Sequence, residues 1–148
     1  MAAQLARRRE HMSAGARYLG WKAGFGSKAA MERLGTSAPI FGFLLDRNLL
    51  EPGSTVSIAG WTRPVFEAEI AAHIGEDGSI AGLGAAVELV DFDPAITDLE
   101  EVLAGDIFHR HVLLGPVREG SAIGGFDARI LGGRHRDRAD HRADASDR

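Results

Sequence analysis

The chain has 148 residues, a formal charge of −4, 45% hydrophobic residues and no cysteine. The length fits one domain, and the lack of cysteine excludes disulfides, thiolate metal sites and a cysteine nucleophile. A negative charge without a basic, aromatic-rich patch argues against nucleic acid as a partner. No run approaches the roughly 18 apolar residues of a membrane span, and the arginine-containing N-terminus lacks the apolar core of a secretory signal. We therefore expect a cytoplasmic protein with no membrane partner.

The first part of the chain is predicted to contain two helices and one buried apolar segment. Ala2 to Ala16 has a modest helical pattern. Lys28 to Leu34 fits a second helix, which Ser27 caps and Gly35 ends by adopting the left-handed conformation. The apolar run from Ala38 to Leu45 is predicted to be a buried connection or a short strand.

From residue 51 onward, the turn residues and alternating patterns are typical of a β protein. The predicted strands are Thr55 to Ala59, Val65 to Ile74, Ala85 to Phe92, Ile107 to Leu114 and Ser121 to Leu131. One more helix is predicted to begin at Asp93, with Pro94 in its first position, and to end at Gly105.

The C-terminal stretch differs in composition, because Arg134 to Arg148 contains only Arg, His, Asp, Ala and Ser. A segment without large apolar side chains cannot offset the entropy of ordering it. We therefore predict one domain over residues 1–131 and a disordered tail over residues 132–148. His135 and His141 belong more simply to a solvated tail than to a metal site.

The sharpest chemical signal is a pair of glutamates, Glu67 and Glu69, in one predicted strand. Alternation places both on one face, about 6.6 Å apart. The opposite face is continuously apolar and suits a core; it consists of Phe66, Ala68, Ile70, Ala72 and Ile74. Two carboxylates at this spacing suit a hard cation such as Mg²⁺ or Mn²⁺. The alternative is an antiparallel strand with one solvated face.

A third carboxylate, Glu88, lies inside the apolar strand Ala86 to Val90. An unpaired buried glutamate is costly, so Glu88 needs water or a partner such as a metal. Asp91 is close in sequence, but alternation places it on the opposite face of the strand. We therefore select Glu88 as the third candidate ligand.

Four segments occur in an order that matches a known group of enzymes. They are Gly20-Trp21-Lys22-Ala23-Gly24, Pro39-Ile40-Phe41-Gly42-Phe43-Leu44, Arg63-Pro64-Val65-Phe66-Glu67-Ala68-Glu69-Ile70 and Ala86-Val87-Glu88-Leu89-Val90-Asp91. Together they resemble the fumarylacetoacetate-hydrolase/2-oxopent-4-enoate-hydratase superfamily, in particular its hydratase branch. The resemblance covers roughly Gly20 to Gly115.

The resemblance implies an α+β fold: a mixed, β-rich roll of the fumarylacetoacetase C-terminal-domain type with N-terminal helices. It implies that Glu67, Glu69 and Glu88 bind Mg²⁺ or Mn²⁺, which chelates a small 2-oxo acid through its carboxylate and adjacent carbonyl. Lys22 matches the lysine of the family's Gly-x-Lys-x-Gly segment, and Asp46 falls near an acidic position implicated in proton transfer. Similar enzymes are commonly homo-oligomers.

The implied chemistry has a physical basis, since a metal on the 2-oxo group acts as a Lewis acid and stabilises an enolate. Lys22 adds positive charge or shuttles a proton; alternatively, it only extends its charged end to the solvent at a strand edge. Asp46, next to Arg47, is equally consistent with a surface salt bridge or a turn cap.

Two features depart from the hydratase pattern. The interval from Glu69 to Glu88 is shorter, and the segment Ile107 to Gly115 replaces a small, serine-containing one. His109 and His111 of that segment are predicted to share one strand face, where they serve as acid/base groups, bind an anionic substrate or simply form a polar face. The family's fold also continues with further strands, so we expect a roll that is incomplete at its C-terminus, as in a truncated or frame-shifted reading.

The predicted function is a divalent-metal-dependent lyase that hydrates a 2-oxo-4-enoate through a metal-stabilised enolate. Decarboxylation or C–C hydrolysis of a 2-oxo acid is the alternative on the same site, since enolate stabilisation serves all three reactions. The other class is a truncated, non-catalytic homologue that retains a metal or anion site, or only an interaction surface.

Overall fold

The computed structural model describes residues 1–120 and shows an α+β fold, as predicted. Its helices are α1 (Ala2–Ser13), α2 (Lys28–Leu34) and α3 (Leu99–Ala104), and a short 3₁₀ helix spans Asp46–Asn48. Its strands are β1 (Tyr18–Gly24), β2 (Ile40–Leu45), β3 (Leu49–Leu50), β4 (Pro64–Ile74), β5 (Ile80–Asp91) and β6 (His109–Glu119). The predicted strand Ser121 to Leu131 and the predicted tail lie outside the described residues.

The strands form two sheets that meet at the candidate site. β1 and β2 pair in antiparallel fashion, with Lys22 opposite Gly42. The second sheet is mixed and has the order β3-β6-β5-β4, in which β3 and β6 are parallel and the other pairs antiparallel. β4 and β5 form a long hairpin in which Pro64 pairs with Asp91 and Ile74 with Ile80.

Helix α2 forms where the sequence predicts it, with both predicted ends. The Ser27 hydroxyl oxygen accepts a hydrogen bond from Ala30 N at 3.2 Å, so it satisfies one of the free amides of the first turn. Gly35 ends the helix in the left-handed conformation, at a φ of 65°, which a glycine adopts without steric cost.

Two predicted elements are wrong. Thr55 to Ala59 is a loop rather than a strand, and in the described part of the chain it has no partner strand to pair with. Helix α3 begins after Asp98, whose side chain accepts from Glu101 N at 3.0 Å, and not at Asp93. Asp93 instead accepts from Ala95 N at 2.9 Å, a local bond that favours a turn over a helix.

The hydrophobic core lies between α3, α2 and one face of the mixed sheet. Its buried members are Leu34, Ile40, Val90, Val102, Leu103, Ile107 and Phe108. Val65 packs against this cluster and pairs with Val90 across β4 and β5. The face of the hairpin that carries Val65 and Val90 is therefore the one turned toward the protein interior.

The predicted core face of β4 is accordingly wrong for the described residues. Phe66 is 57% exposed, Ile70 47% and Ile74 62%. The glutamates share the face of Val65, which points toward the core cluster. Alternation correctly separates the two faces, but it does not determine which face another layer of the protein covers.

Among the described helices, none combines the length and the apolar character required to cross a membrane.

Candidate metal and active site

The register of the β4–β5 hairpin brings the predicted metal ligands onto one sheet face. Glu67 lies directly opposite Glu88, and Glu69 lies opposite Ala86. Residues that face each other in this way have Cβ atoms about 5 Å apart. Glu88 is only 4% exposed, whereas Glu67 and Glu69 are exposed. The structure thus places one buried carboxylate beside two accessible ones.

The three carboxylates repel one another. Although Glu67 is exposed to solvent, the neighbouring protein partly desolvates its carboxyl group. This desolvation, followed by the charge of Glu88, raises the pKa of Glu67 above its ordinary value. Burial, followed by the charges of Glu67 and Glu88, raises the pKa of Glu69. Lys22 opposes both shifts. Like charges held together disfavour ionisation, so this face carries excess negative charge that a cation would relieve.

Glu88 is held by two basic side chains at its buried end. Its Oε1 accepts from Lys22 Nζ and also bonds His109 Nδ1 at 2.7 Å. The three side chains are at most 8% exposed. Burial opposes ionisation of Glu88, but the His109 bond and the Lys22 charge outweigh it and lower the Glu88 pKa. Glu88 is therefore a buried carboxylate with its negative charge compensated.

The metal site itself stays a prediction. Within residues 1–120, no group of three or more His, Asp or Glu side chains is arranged closely enough to enclose an ion. The donor set nevertheless fits a hard divalent cation, because it supplies only carboxylate oxygens on one face. The raised pKa values of Glu67 and Glu69 point the same way. Rotation of these two exposed side chains toward Glu88 is the change that binding requires.

A left-handed turn presents the other polar groups of the site. Asp106, Ile107 and Phe108 have φ values of 55°, 53° and 62°, which is costly for residues with a Cβ, about 1–2 kcal/mol each. Main-chain hydrogen bonds hold all three: Asp106 N bonds Leu103 O at 3.0 Å, Ile107 N bonds Val102 O at 2.9 Å and Asp91 N bonds Phe108 O at 3.0 Å. The turn aims the Ile107 carbonyl at Lys22 Nζ, 3.2 Å away.

Asp106 is a site residue that sequence reasoning missed. It is 5% exposed, its Oδ1 accepts from Phe43 N at 2.8 Å, and burial raises its pKa. A Cβ on Gly42 would lie 2.9 Å from Asp106 Oδ1 and 3.0 Å from Lys22 Cγ, so the glycine makes room for both side chains. The sequence signal that could have identified Asp106 is an acidic residue between Gly105, which ends α3, and the apolar pair Ile107-Phe108.

His109 and His111 do not share a face, contrary to the prediction. Between Leu89 and Val90 the β5–β6 register shifts, so that His111 pairs with Leu89 and His109 with Val90. This bulge reverses the alternation over one residue. His109 therefore points to Glu88, while His111 stacks on Trp61 on the opposite face, with ring centroids 6.4 Å apart.

Asp91 and Asp46 have contacts outside this cluster. Asp91 accepts from Thr62 N at 2.7 Å and from Arg110 at 3.0 Å, so it anchors the loop that precedes β4. The Asp46 carboxylate accepts from Arg17 N at 2.9 Å and from Arg17 Nε at 2.8 Å, and these bonds lower the Asp46 pKa. The partner is Arg17 rather than the neighbouring Arg47. A catalytic role for Asp46 stays a prediction.

Comparison with known proteins gives structural relatives only. No family profile matches the chain, and no curated protein matches it. Two solved structures of 4-oxalocrotonate decarboxylase from Pseudomonas putida G7 are similar, both at 26% sequence identity over 78% of this chain. The structure complexed with magnesium and adipate gives a TM-score of 0.67, and the one with calcium and acetate gives 0.65.

The chain spans about half the length of these structures, 50% and 49% respectively. That enzyme is a member of the superfamily that the four sequence segments indicate. The similarity covers most of this chain, and the resemblance is confirmed. The chain is similar in structure to a member of the fumarylacetoacetate-hydrolase superfamily.

Proposed function

We propose that this protein is a divalent-metal-dependent lyase acting on small 2-oxo acids. The observation that carries the proposal is the shared face of Glu67, Glu69 and Glu88, with Lys22 bonded to the buried member. Carboxylates held together against their mutual repulsion destabilise the metal-free fold, and such arrangements cluster at binding and catalytic sites.

Glu67, Glu69 and Glu88 would hold the cation, which is Mg²⁺ or Mn²⁺ because the donors are all oxygens. When bound, such a cation supplies Lewis-acid stabilisation of the negative charge that develops on the 2-oxo oxygen. The similarity to a decarboxylase whose structures contain magnesium with adipate and calcium with acetate supports a metal together with a small carboxylic acid.

Lys22 is the side chain best placed to handle a proton or stabilise charge. An ammonium group has three N–H donors. Within residues 1–120, the Lys22 ammonium uses two of them, on Glu88 and on the Ile107 carbonyl. The third is left for a substrate oxygen. We retain His109 as a proposed acid/base or anion-binding group, and Asp46 as a proposed proton-transfer group with less support, since its contacts are with Arg17.

Three reactions of 2-oxo acids are candidates for this site. Hydration of a 2-oxo-4-enoate follows from the likeness of the sequence segments to hydratases. Decarboxylation of a 2-oxo acid is favoured by the structural similarity to a decarboxylase. C–C hydrolysis uses the same stabilised charge, and a homologue without catalysis is the remaining alternative.

The test combines metal titration with turnover. Calorimetry should show Mg²⁺ or Mn²⁺ binding to the wild type and its loss in the Glu67→Ala/Glu69→Ala double variant, with Asp46→Asn as the matched acidic control that still binds. A panel of 2-oxo-4-enoates and 2-oxo dicarboxylic acids, followed by absorbance and CO₂ release, distinguishes the reactions. Unchanged metal affinity in the double variant would remove these residues from the site.

We propose that residues 1–131 fold as one domain and that the chain is a homo-oligomer, since the apolar face of β4 is exposed in the described part of the monomer. Sedimentation velocity tests whether the chain is a homo-oligomer: a single monomeric species at micromolar concentration would contradict it.

A further inference from the structure

We infer that His109 is a positioning residue for Glu88: it holds Oε1, so that the second carboxylate oxygen, Oε2, is turned to the face of Glu67 and Glu69. The inference rests on the proposed metal function and deepens it. It adds a positioning role to the acid/base or anion-binding role proposed for His109 above.

The bonding pattern of Glu88 is the first support. Lys22 Nζ and His109 Nδ1 both bond Oε1. Within residues 1–120, Oε2 makes no hydrogen bond, although the Glu88 side chain is only 6% exposed. Glu88 lies opposite Glu67, so its unbonded oxygen is the one available to a cation on that face.

The bonding of His109 itself is the second support. A carboxylate oxygen accepts and does not donate, so the ring carries its proton on Nδ1. The other nitrogen, Nε2, is buried and has no partner among the described residues. Within residues 1–120, the Glu88 bond is therefore the only polar contact that orients the His109 ring, and the His109 side chain is 3% exposed.

The backbone supplies the third support. The left-handed turn Asp106–Phe108 and the register shift after Leu89 together bring His109 onto the face of Glu88. Without the register shift, His109 would follow the alternation of His111 and point to the opposite face. The same turn also directs the Ile107 carbonyl at Lys22 Nζ, so both groups that hold Oε1 depend on one strained segment.

The first arm of the test needs no metal. In ¹⁵N-labelled protein, the imidazole resonances of His109 should show a proton on Nδ1 and a strong hydrogen bond. Glu88→Gln should shift these resonances and leave those of His111 unchanged, since His111 stacks on Trp61 on the other face. If the His109 signals do not respond to Glu88→Gln, the inference is overturned, whether or not the protein binds a metal.

The second arm measures Mn²⁺ affinity by calorimetry. His109→Asn keeps a donor near the position of Nδ1 and should bind within about threefold of wild type, whereas His109→Leu should bind roughly 10–100-fold more weakly, the usual loss on removing an outer-shell partner. His111→Asn is the matched control. Equal affinities for His109→Leu and wild type would overturn the inference.

Two complications are resolved by further variants. If His109→Leu does not fold, His109→Gln replaces it, because its amide donor sits at the position of Nε2 and should not rescue binding. If wild type itself binds no Mn²⁺, the proposed metal function fails, and the imidazole spectra alone decide whether His109 orients Glu88.

Discussion

Removal of the Lys22 charge provides the most direct test of how the site is stabilised. In Lys22→Met the alkyl stem is largely retained, but Glu88 loses the ammonium group that bonds its Oε1. The Lys22 and Glu88 side chains are 8% and 6% exposed, so water cannot easily take the place of the ammonium. Breaking a buried ion pair from one side costs about 3–5 kcal/mol.

The His109 bond to Glu88, 2.7 Å in the wild type, is not removed by this substitution, so we expect the lower end of that range, about 3 kcal/mol. For a domain of this size, that loss corresponds to a fall in Tm of roughly 10–15 °C. The assay is urea and thermal unfolding followed by circular dichroism. Lys28→Met is the matched control, because the Lys28 side chain is 89% exposed and its Nζ lies as far as 3.9 Å from Glu32 Oε1. Loss of such a weak, exposed ion pair should change stability by less than about 0.5 kcal/mol.

Mn²⁺ gives the experiment a second readout. A divalent cation beside Glu88 replaces the missing positive charge, so Mn²⁺ should raise the Tm of Lys22→Met by more than it raises that of wild type. Equal unfolding free energies for Lys22→Met and Lys28→Met would refute the argument that the Lys22–Glu88 pair is buried and necessary.

Three other predictions concern the surroundings of the site. Gly42→Ala should destabilise the protein by about 1–3 kcal/mol, since a Cβ there lies 2.9 Å from Asp106 Oδ1; Gly20→Ala, with open space at its Cβ, should be neutral in the same urea titration. Glu67→Gln should raise the stability of the metal-free protein by up to about 1 kcal/mol, because it removes the repulsion between Glu67 and Glu88 at an exposed position. The same variant should lower Mg²⁺ affinity. A less stable metal-free variant would contradict this prediction. The Glu88 pKa is lowered on folding, so its contribution is present above its unfolded pKa of about 4.3 and is lost as the pH falls through the folded value. Wild type should therefore lose more stability than Glu88→Gln between pH 6 and pH 2; parallel curves would contradict the assignment.

Local signals in the sequence predicted the elements that depend on local physics. Ser27 and Gly35 mark the two ends of α2. The sequence predicts both ends because an N-cap side chain and a left-handed C-terminal glycine each depend on the type of a single residue. The strand that contains Glu67 extends over Pro64–Ile74, close to its predicted limits. The predicted start of α3 was wrong because Asp93 and Asp98 are both residues that can cap a helix. The packing of the chain, and not a local signal, selects Asp98 as the cap.

Features that depend on pairing between distant segments could not be predicted from the sequence. The bulge that separates His109 from His111 arises from the register of β5 against β6, and no residue type in β6 signals it. Likewise, the burial of the Glu88 side chain depends on Lys22, which is 66 residues away in the chain. The apolar pattern of β4 predicted the two faces of the strand but not that the glutamate face is turned to the core cluster.

The charges on this face give the strongest physical reason to expect a divalent ion. When ionised, Glu67, Glu69 and Glu88 contribute three negative charges, and Lys22 contributes one positive charge at Glu88. Two negative charges remain, and the charge of Lys22 only partly offsets the desolvation and repulsion that raise the pKa values of Glu67 and Glu69. A monovalent ion would leave half of the excess, whereas a divalent ion matches it. Glu88 is already held by Lys22 and His109, so Glu67 and Glu69 can approach a cation with little change in the core. The expected cost of assembling the site is therefore the rotamer entropy of these two exposed side chains.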